Sequence, residues 1–422
     1  MFTIITGAQF GDEGKGKIVD LISNEYDIIV RFQGGDNAGH TVQVGDSIYK
    51  LHLIPSGFLL NKKVLIGPGV VLNPKVLLDE IEMLKKSGIE IEGVIGIDAK
   101  LSVIMPYHIE LDSLREEMRT EKIGTTKRGI GFAYIDKVAR DEIQIKDITD
   151  EATFRLRLGE ISEQKISAIK SLNGDPSIVM DEKLIKEYLV FGEKLKNFIT
   201  DVSYDINKAL ESGENVLAEG AQGTHLDVIH GTQKFVTSSS TIAGSACTNL
   251  GVGPTKVDKV IGIVKAYITR VGEGPLPTEL LCETGEQIQK AGGEFGTTTG
   301  RMRRCGWFDM PLIRKAIYLN GYTDIILTKL DVLAGLDTIK ICTGYELDGK
   351  TIEYPPELVS ELMRCVPIYK EFSGFNEDIS EVKNYNSLPT SAKDYVEYLE
   401  NEMGVHIEYV SVGPKREQTF KR

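Results

Sequence analysis

Two lysines, two acids and a histidine stand among glycines near the start of the chain, a set that could hold and transfer phosphate. The first group is Gly7-Ala8-Gln9-Phe10-Gly11-Asp12-Glu13-Gly14-Lys15-Gly16-Lys17, between the apolar run Phe2–Thr6 and the stretch Ile18-Val19-Asp20-Leu21-Ile22. A buried strand, a glycine-rich loop and a helix in that order turn backbone N–H groups toward a phosphate. Gly11, four residues, then Gly16-Lys17 follows the phosphate-loop pattern, but Ile18 stands where a Ser or Thr normally binds magnesium. Asp12, inside the loop, offers an oxygen in its place. A phosphate site of variant plan is therefore expected.

A second loop, Gln33 to Thr41, follows the strand-like run Asp27–Phe32 and gathers Asp36, Asn37 and His40. Polar turns of this kind commonly satisfy their own backbone. His40, one of six histidines, closes a second strand–glycine loop and is expected to act on a ligand. Ile123–Phe132 sets Thr126, Lys127 and Arg128 among glycines, with Arg140 following. Those groups suit a phosphate monoester, and they equally suit a solvated basic turn. Glu219–Thr224 follows an apolar run and Val236–Thr241 is rich in hydroxyls, as caps or as ligand groups. Gly296-Thr297-Thr298-Thr299-Gly300-Arg301-Met302-Arg303-Arg304 reads as an arginine clamp on a carboxylate or phosphate. Finally, Ile325–Leu327 runs into Thr328-Lys329-Leu330-Asp331, which resembles the Asn-Lys-x-Asp guanine-reading motif of GTPases with Thr first. A carboxylate there accepts from guanine N1–H and the 2-amino group, and adenine offers neither donor.

The elements that must position these loops are short apolar strands at Val64–Ile66, Val94–Ile97, Asn215–Ala218, Val260–Val264 and Ile325–Leu327. Helical-period stretches lie between them, among them Pro74–Lys86 and Asp181–Leu210. The alternation predicts an α/β fold: a large, mostly parallel central sheet flanked by helices, with a P-loop-like GTP site outside the carboxyl ends of the strands. Residues 142–196 are charge-rich with helical periodicity and predict helical excursions. The chain from Tyr345 mixes short strands, prolines and helices. With no repeat and no low-complexity linker, residues 1–422 are expected to form a single domain.

Composition narrows the function. The 422 residues are 41% hydrophobic and 26% charged, those of a globular protein, and a net charge of −13 argues against a nucleic-acid surface. No apolar run reaches membrane-spanning length and no signal peptide is expected. Five well-separated cysteines without a CxxC pair fit reduced thiols in a cytoplasmic protein better than a zinc site.

Gly11–Lys17, Asn37–Thr41, Gly220-Ala221-Gln222-Gly223 and Thr328–Asp331 together resemble the adenylosuccinate synthetase family, and the resemblance runs from Ile4 to Ser411-Val412-Gly413-Pro414. It implies a GTP-dependent ligase that joins L-aspartate to inosine monophosphate (IMP), with GTP as co-substrate and Mg²⁺ as cofactor. Asp12 would take the N1 proton of IMP, so that O6 attacks the γ-phosphate while His40 steadies the developing charge. Aspartate's amine would then displace phosphate from C6. Lys15 and Gln222 complete the implied catalytic set, and Asp12 with the Gly39 carbonyl would bind Mg²⁺. GTP would contact Gly11, Glu13, Gly14, Gly16, Lys17, Gly39, His40, Thr41 and Arg303. Lys329, Leu330, Asp331, Ser411, Val412 and Gly413 would take its base.

For IMP the resemblance implies Asp12, Glu13, Gly14, Lys15, Asn37, Ala38, Gly39, His40, Thr126, Gln222, Thr237 and Arg301. Aspartate would lie on Thr297 to Arg303. Arg140 would reach the IMP phosphate of a neighbouring subunit, which implies a homodimer. Met302, Phe132, Ile242, Ser245 and Lys415 depart from the family's usual residues, none at an implied catalytic position. A GTP-binding switch protein would share the phosphate loop and the guanine motif, but it has no use for a second nucleotide site or a carboxylate clamp. A small-molecule kinase would have no use for the guanine motif.

Overall fold

Along Phe2–Gly7 every residue is buried, and alternate side chains enter different cores, Phe2 and Ile4 on one face, Ile5 on the other. That is the signature of a strand covered on both sides. The computed structural model describes residues 1–44, 47–60, 62–295 and 302–422, with backbone alone at 41–44 and 47–48. Ten strands form the main sheet. Numbered along the chain, they are β1 (Phe2–Gly7), β2 (Ile28–Arg31), β3 (Lys63–Ile66), β4 (Ile95–Asp98), β5 (Ile199–Thr200), β6 (Val216–Glu219), β7 (Lys259–Lys265), β8 (Asp324–Thr328), β9 (His406–Ser411) and β10 (Thr419–Lys421). Their spatial order is β10-β9-β8-β7-β1-β6-β2-β3-β4-β5. Every pairing is parallel except the edge pair β9–β10.

Parallel pairing puts the carboxyl ends of β1, β2, β6, β8 and β9 on one edge, and each of these strands runs into one of the loops identified above. The chain leaves β1 through the helix Lys15–Ile22 and enters β2, yet β6 lies between the two, with Ile4 opposite Ala218 and Ala218 opposite Val30. A reversal of strand order of this kind leaves a crevice at the carboxyl end.

The stretch 181–210 is not one helix. Glu182–Leu195 ends before β5, and a second helix, Val202–Glu211, starts under the Asp201 cap, whose carboxylate accepts from Tyr204 N–H at 3.0 Å. Extended Ile199-Thr200 pairs with β4 instead of continuing the helix. Glu182–Leu195 aside, the helix of the stretch 142–196 is Glu151–Ser171, and the helical excursion begins earlier than that stretch, with Pro106–Met118 and Ile130–Ala139. Buried Asp136 joins Glu151–Ser171 to the two earlier helices, accepting from His108 at 2.8 Å and from Lys165 at 2.5 Å. A separate small sheet centres on Thr338–Leu347, and a hairpin of His40–Val44 with Ser47–Leu51 leaves the second loop. Among the described residues no helix is long and apolar enough to cross a membrane, and all five cysteines are free.

Candidate active site

In the first loop, adjacent carboxylates meet opposite fates. Gly11 (φ +86°), Asp12 (φ +60°) and Gly14 (φ +87°) adopt left-handed conformations, which curl the loop and separate the side chains of Asp12 and Glu13. Glu13 turns inward and is fully buried. It accepts from the N–H groups of Gln9 (3.1 Å) and Gly11 (2.8 Å) and pairs with Lys15 at 2.6 Å. A Cβ on Gly7 would lie 2.3 Å from that carboxylate, so Gly7 makes room for it. Glu13 thus consumes part of the N–H array expected to face phosphate. Asp12 turns outward, about one-third exposed, and meets Arg303 Nε at 2.7 Å.

Lys15 also donates to the Gln222 carbonyl, and a Cβ on Gly223 would fall 2.4 Å from Gly11 N, so the loop after β6 lies directly on the first. Gln222 has a left-handed backbone (φ +58°), and both polar atoms of its amide are buried with no partner among the described residues. His40 comes from the loop after β2, next to β6 in the sheet, and its Cβ would be 2.8 Å from a Cβ on Gly16. The Ile54 carbonyl accepts from its ring, Nε2 is buried without a partner, and burial together with the charges of Arg31 and His52 pushes its pKa down to about 3. With protein groups alone around it, the imidazole is neutral.

These loops line a cavity of about 1100 Å³ that reaches from Gly11 and Lys17 past Asn37–His40 and Gln222 to Thr126, Thr237 and Arg303. The second loop is well anchored. Asn37 accepts from Gly35 N–H at 3.2 Å and lies 3.5 Å from the Thr237 hydroxyl, and Arg128 bonds the Asp36 carbonyl and carboxylate at 3.0 Å each. The end of the hydroxyl run is tied to the segment that follows β6: Asp227 accepts from the Ser240 hydroxyl and Thr241 N–H at 2.7 Å each, and Thr241 donates to the Gly223 carbonyl. Of the departures, Phe132 lines the cavity, Ser245 donates to the Ser240 and Ile242 carbonyls, and Met302 is exposed.

The guanine-motif residues lie beside the cavity rather than on its wall, apart from Lys329. The Thr328 hydroxyl donates to the Glu13 carbonyl at 2.7 Å and ties this motif to the first loop. Asp331 has a buried, unpartnered Oδ1, and burial raises its pKa. Lys17 reaches across to the Ser411 hydroxyl and the Gly413 carbonyl, and burial lowers its pKa to about 8. Leu330 and Val412 are fully buried, so their side chains are closed to any ligand. Arg140 stands apart, exposed at the end of the helix Ile130–Ala139 and absent from the cavity wall. Gly296, Thr297, Thr298, Thr299, Gly300 and Arg301 lie outside the described residues, as does the side chain of Thr41.

Glu294 was not singled out from the sequence. It is fully buried, accepts from Lys329 and Arg303 at 2.7 Å each, from Tyr267, and from fully buried Lys265 at 3.3 Å. The three cations hold its carboxyl far below the usual range against the opposing effect of burial. One signal was available: Lys265 ends an apolar parallel strand, and a lysine buried there demands a carboxylate. Arg31, fully enclosed on the cavity wall and donating to the Gly35 carbonyl at 2.8 Å, was likewise unflagged.

The family model "Adenylosuccinate synthetase" matches residues 4–420. A relative of that name from Methanococcoides burtonii is 66% identical over 100% of both chains. Another, from Carboxydothermus hydrogenoformans, is 50% identical over 99% of this chain and 98% of its own. Among solved structures, a fully ligated adenylosuccinate synthetase from Plasmodium falciparum superimposes with a TM-score of 0.94 at 37% identity, covering 100% of this chain and 99% of that one. A cyanophage S-2L succinoaminodeoxyadenylate synthetase bound to dGMP and dATP shares the fold at 18% identity and a TM-score of 0.63, covering 100% and 95%.

Proposed function

The chain belongs to the adenylosuccinate synthetase family, a GTP-dependent ligase joining L-aspartate to IMP, and we propose that the loops at the carboxyl ends of β1, β2 and β6 carry its chemistry. What supports this placement is the pair of buried, unpartnered groups on the cavity wall, the Gln222 amide and His40 Nε2, beside the outward carboxylate of Asp12. Buried polar groups without partners are costly, and a bound nucleotide would satisfy them.

In this reading IMP enters between Asn37, Thr126, Gln222 and Thr237. Asp12 leaves Arg303 and accepts the N1 proton, which makes O6 nucleophilic. The O6 electron pair forms a bond to the γ-phosphorus of GTP and GDP departs, while Lys15 offsets charge on the transferring oxygens. Phosphate charge opposes the causes that hold His40 neutral, so the imidazole takes up a proton and donates to the developing oxyanion. The amine of aspartate, held by the Thr297–Arg303 loop, then attacks C6, loses a proton and expels phosphate. Asp331 and the Ser411–Gly413 turn take the guanine.

Mg²⁺ fits the donors at hand. Asp12 and Gly39 both line the cavity, and one carboxylate with one carbonyl is the modest protein share this ion takes when phosphates supply the rest. Its contribution is charge on the phosphates. Among the described residues no cluster of three or more His, Cys, Asp or Glu offers a separate metal cage.

Arg140, exposed beside Ile135 and Val138 (50% and 82% exposed), is assigned to the IMP phosphate of a second subunit in a homodimer. The chain is read as a single domain working in the cytoplasm. A guanine-nucleotide switch is not favoured. Phosphate release from GTP should require IMP and aspartate together, and steady hydrolysis without either would restore the switch. Asp12→Asn should lower turnover by roughly a thousandfold or more with the fold intact, since the amide cannot accept the N1 proton. Near-normal turnover would remove Asp12 from that role.

A further inference from the structure

We propose that Glu80, remote from both nucleotides, is a positioning residue for His40, holding the backbone segment that holds the imidazole. The inference rests on the role given to His40 above.

Glu80 projects from the helix Pro74–Lys86, on a face whose other buried residues include Leu77, Ile81 and Leu84, and it is 5% exposed. Among the described residues its carboxylate forms no ion pair. It accepts instead from three successive backbone N–H groups: His52, Leu53 (3.2 Å) and Ile54 (3.0 Å). This segment has no helix or strand ladder to satisfy those donors. Two of these residues, His52 and Ile54, support the active site from behind. The Ile54 carbonyl accepts from the His40 ring, the His52 ring bonds the Ala38 carbonyl at 2.7 Å, and the His52 carbonyl accepts from Arg31. Two residues on, Ser56 is held by a second buried carboxylate, Glu219.

Glu80 is absent from the cavity wall, so it acts on the ligand only through this backbone. One carboxylate offers enough lone pairs for three N–H groups. An amide in its place keeps one acceptor and turns donors against donors. The segment must then shift, and displacements of about 1 Å at a reacting group cost on the order of a hundredfold in rate.

The test compares Glu80→Gln, His40→Asn and the double variant as full-length enzyme. The first chemical step is read by scrambling of ¹⁸O between the β,γ-bridge and β-nonbridge positions of GTP, with IMP and Mg²⁺ present and aspartate absent. Turnover and the KM values for IMP and GTP are read alongside, with thermal melting to establish folding. Glu80→Gln should lower both scrambling and kcat by roughly 10- to 100-fold at little-changed KM. In the His40→Asn background the same change should cost under about twofold, because the group it positions is gone. Should Glu80→Gln fail to fold, Glu80→Asp, which keeps the charge one methylene short, should show a smaller loss with the same dependence on His40.

A folded Glu80 variant with full scrambling overturns the proposal, as does an equal loss in both backgrounds, the mark of general destabilisation. Full scrambling in His40→Asn would instead remove the imidazole from the first step, and both ideas with it.

Discussion

On the β6 side of the cleft, the Gln222 amide and His40 Nε2 are buried with no partner, whereas on the β8 side Lys17, Lys329 and Arg303 are already bonded inside the protein. The first region can take a ligand without breaking any bond. The cations of the second must exchange internal partners for external ones, although Asp331 Oδ1 on that side also lacks a partner among the described residues. In the proposed mechanism Asp12 leaves Arg303 before it acts as base. Unpaired neutral groups are costly, but unpaired buried cations cost far more, so the protein supplies stand-ins for phosphate and carboxylate. Glu294 is the principal stand-in, and its three cations keep their places because of it.

The contrast is most directly broken at Glu294. Glu294→Gln leaves Lys265 buried and unpaired among other cations and should cost about 3–5 kcal/mol in denaturant unfolding. A loss under about 1 kcal/mol would mean that the cationic side does not depend on its stand-in. Next in size, Asp331→Asn replaces a double acceptor by a group carrying donors and should weaken GTP roughly 100-fold in an equilibrium titration, with melting nearly unchanged. Unaltered GTP affinity would move the guanine elsewhere. Gln222→Ala probes the side with unpaired groups. Because its amide bonds nothing in the protein, stability should change by less than about 0.5 kcal/mol while the KM for IMP rises roughly tenfold. A large loss of stability would show that the amide is not waiting for a ligand.

The smallest effect concerns pH. Burial brings the Lys17 amine down to about 8, so the folded protein binds fewer protons than the unfolded chain between that value and the ordinary 10.5. Stability contributed by this group therefore rises with pH across that window. GTP binding, which wants the charged amine, should weaken as pH passes about 8. A KM for GTP that stays flat between pH 7 and 9 would place Lys17 outside the phosphate site.

What could be read from the chain follows the range over which each feature is determined. The apolar runs of β1, β6 and β7 and the glycines of the first loop are local, and they forecast the parallel sheet and its crevice. The division of labour between Asp12 and Glu13 was not legible, because composition does not distinguish adjacent acids and the left-handed turn at Gly11–Asp12 does. Glu80 and Glu294 escaped notice because their partners, at 52–54 and at 265, 303 and 329, are brought near only by folding. The break in the stretch 181–210 was written locally, in Ile199-Thr200-Asp201, a β-branched pair and a capping acid that the helical period of the flanks obscured.

The single bond from the Thr328 hydroxyl to the Glu13 carbonyl has a consequence for the whole nucleotide site. It ties the strand end that carries Asp331 to the loop that carries Asp12, so neither shifts along the other without losing it. With guanine at Asp331 and phosphate at the first loop, as proposed above, loss of this one bond would loosen both ends of the nucleotide site at once.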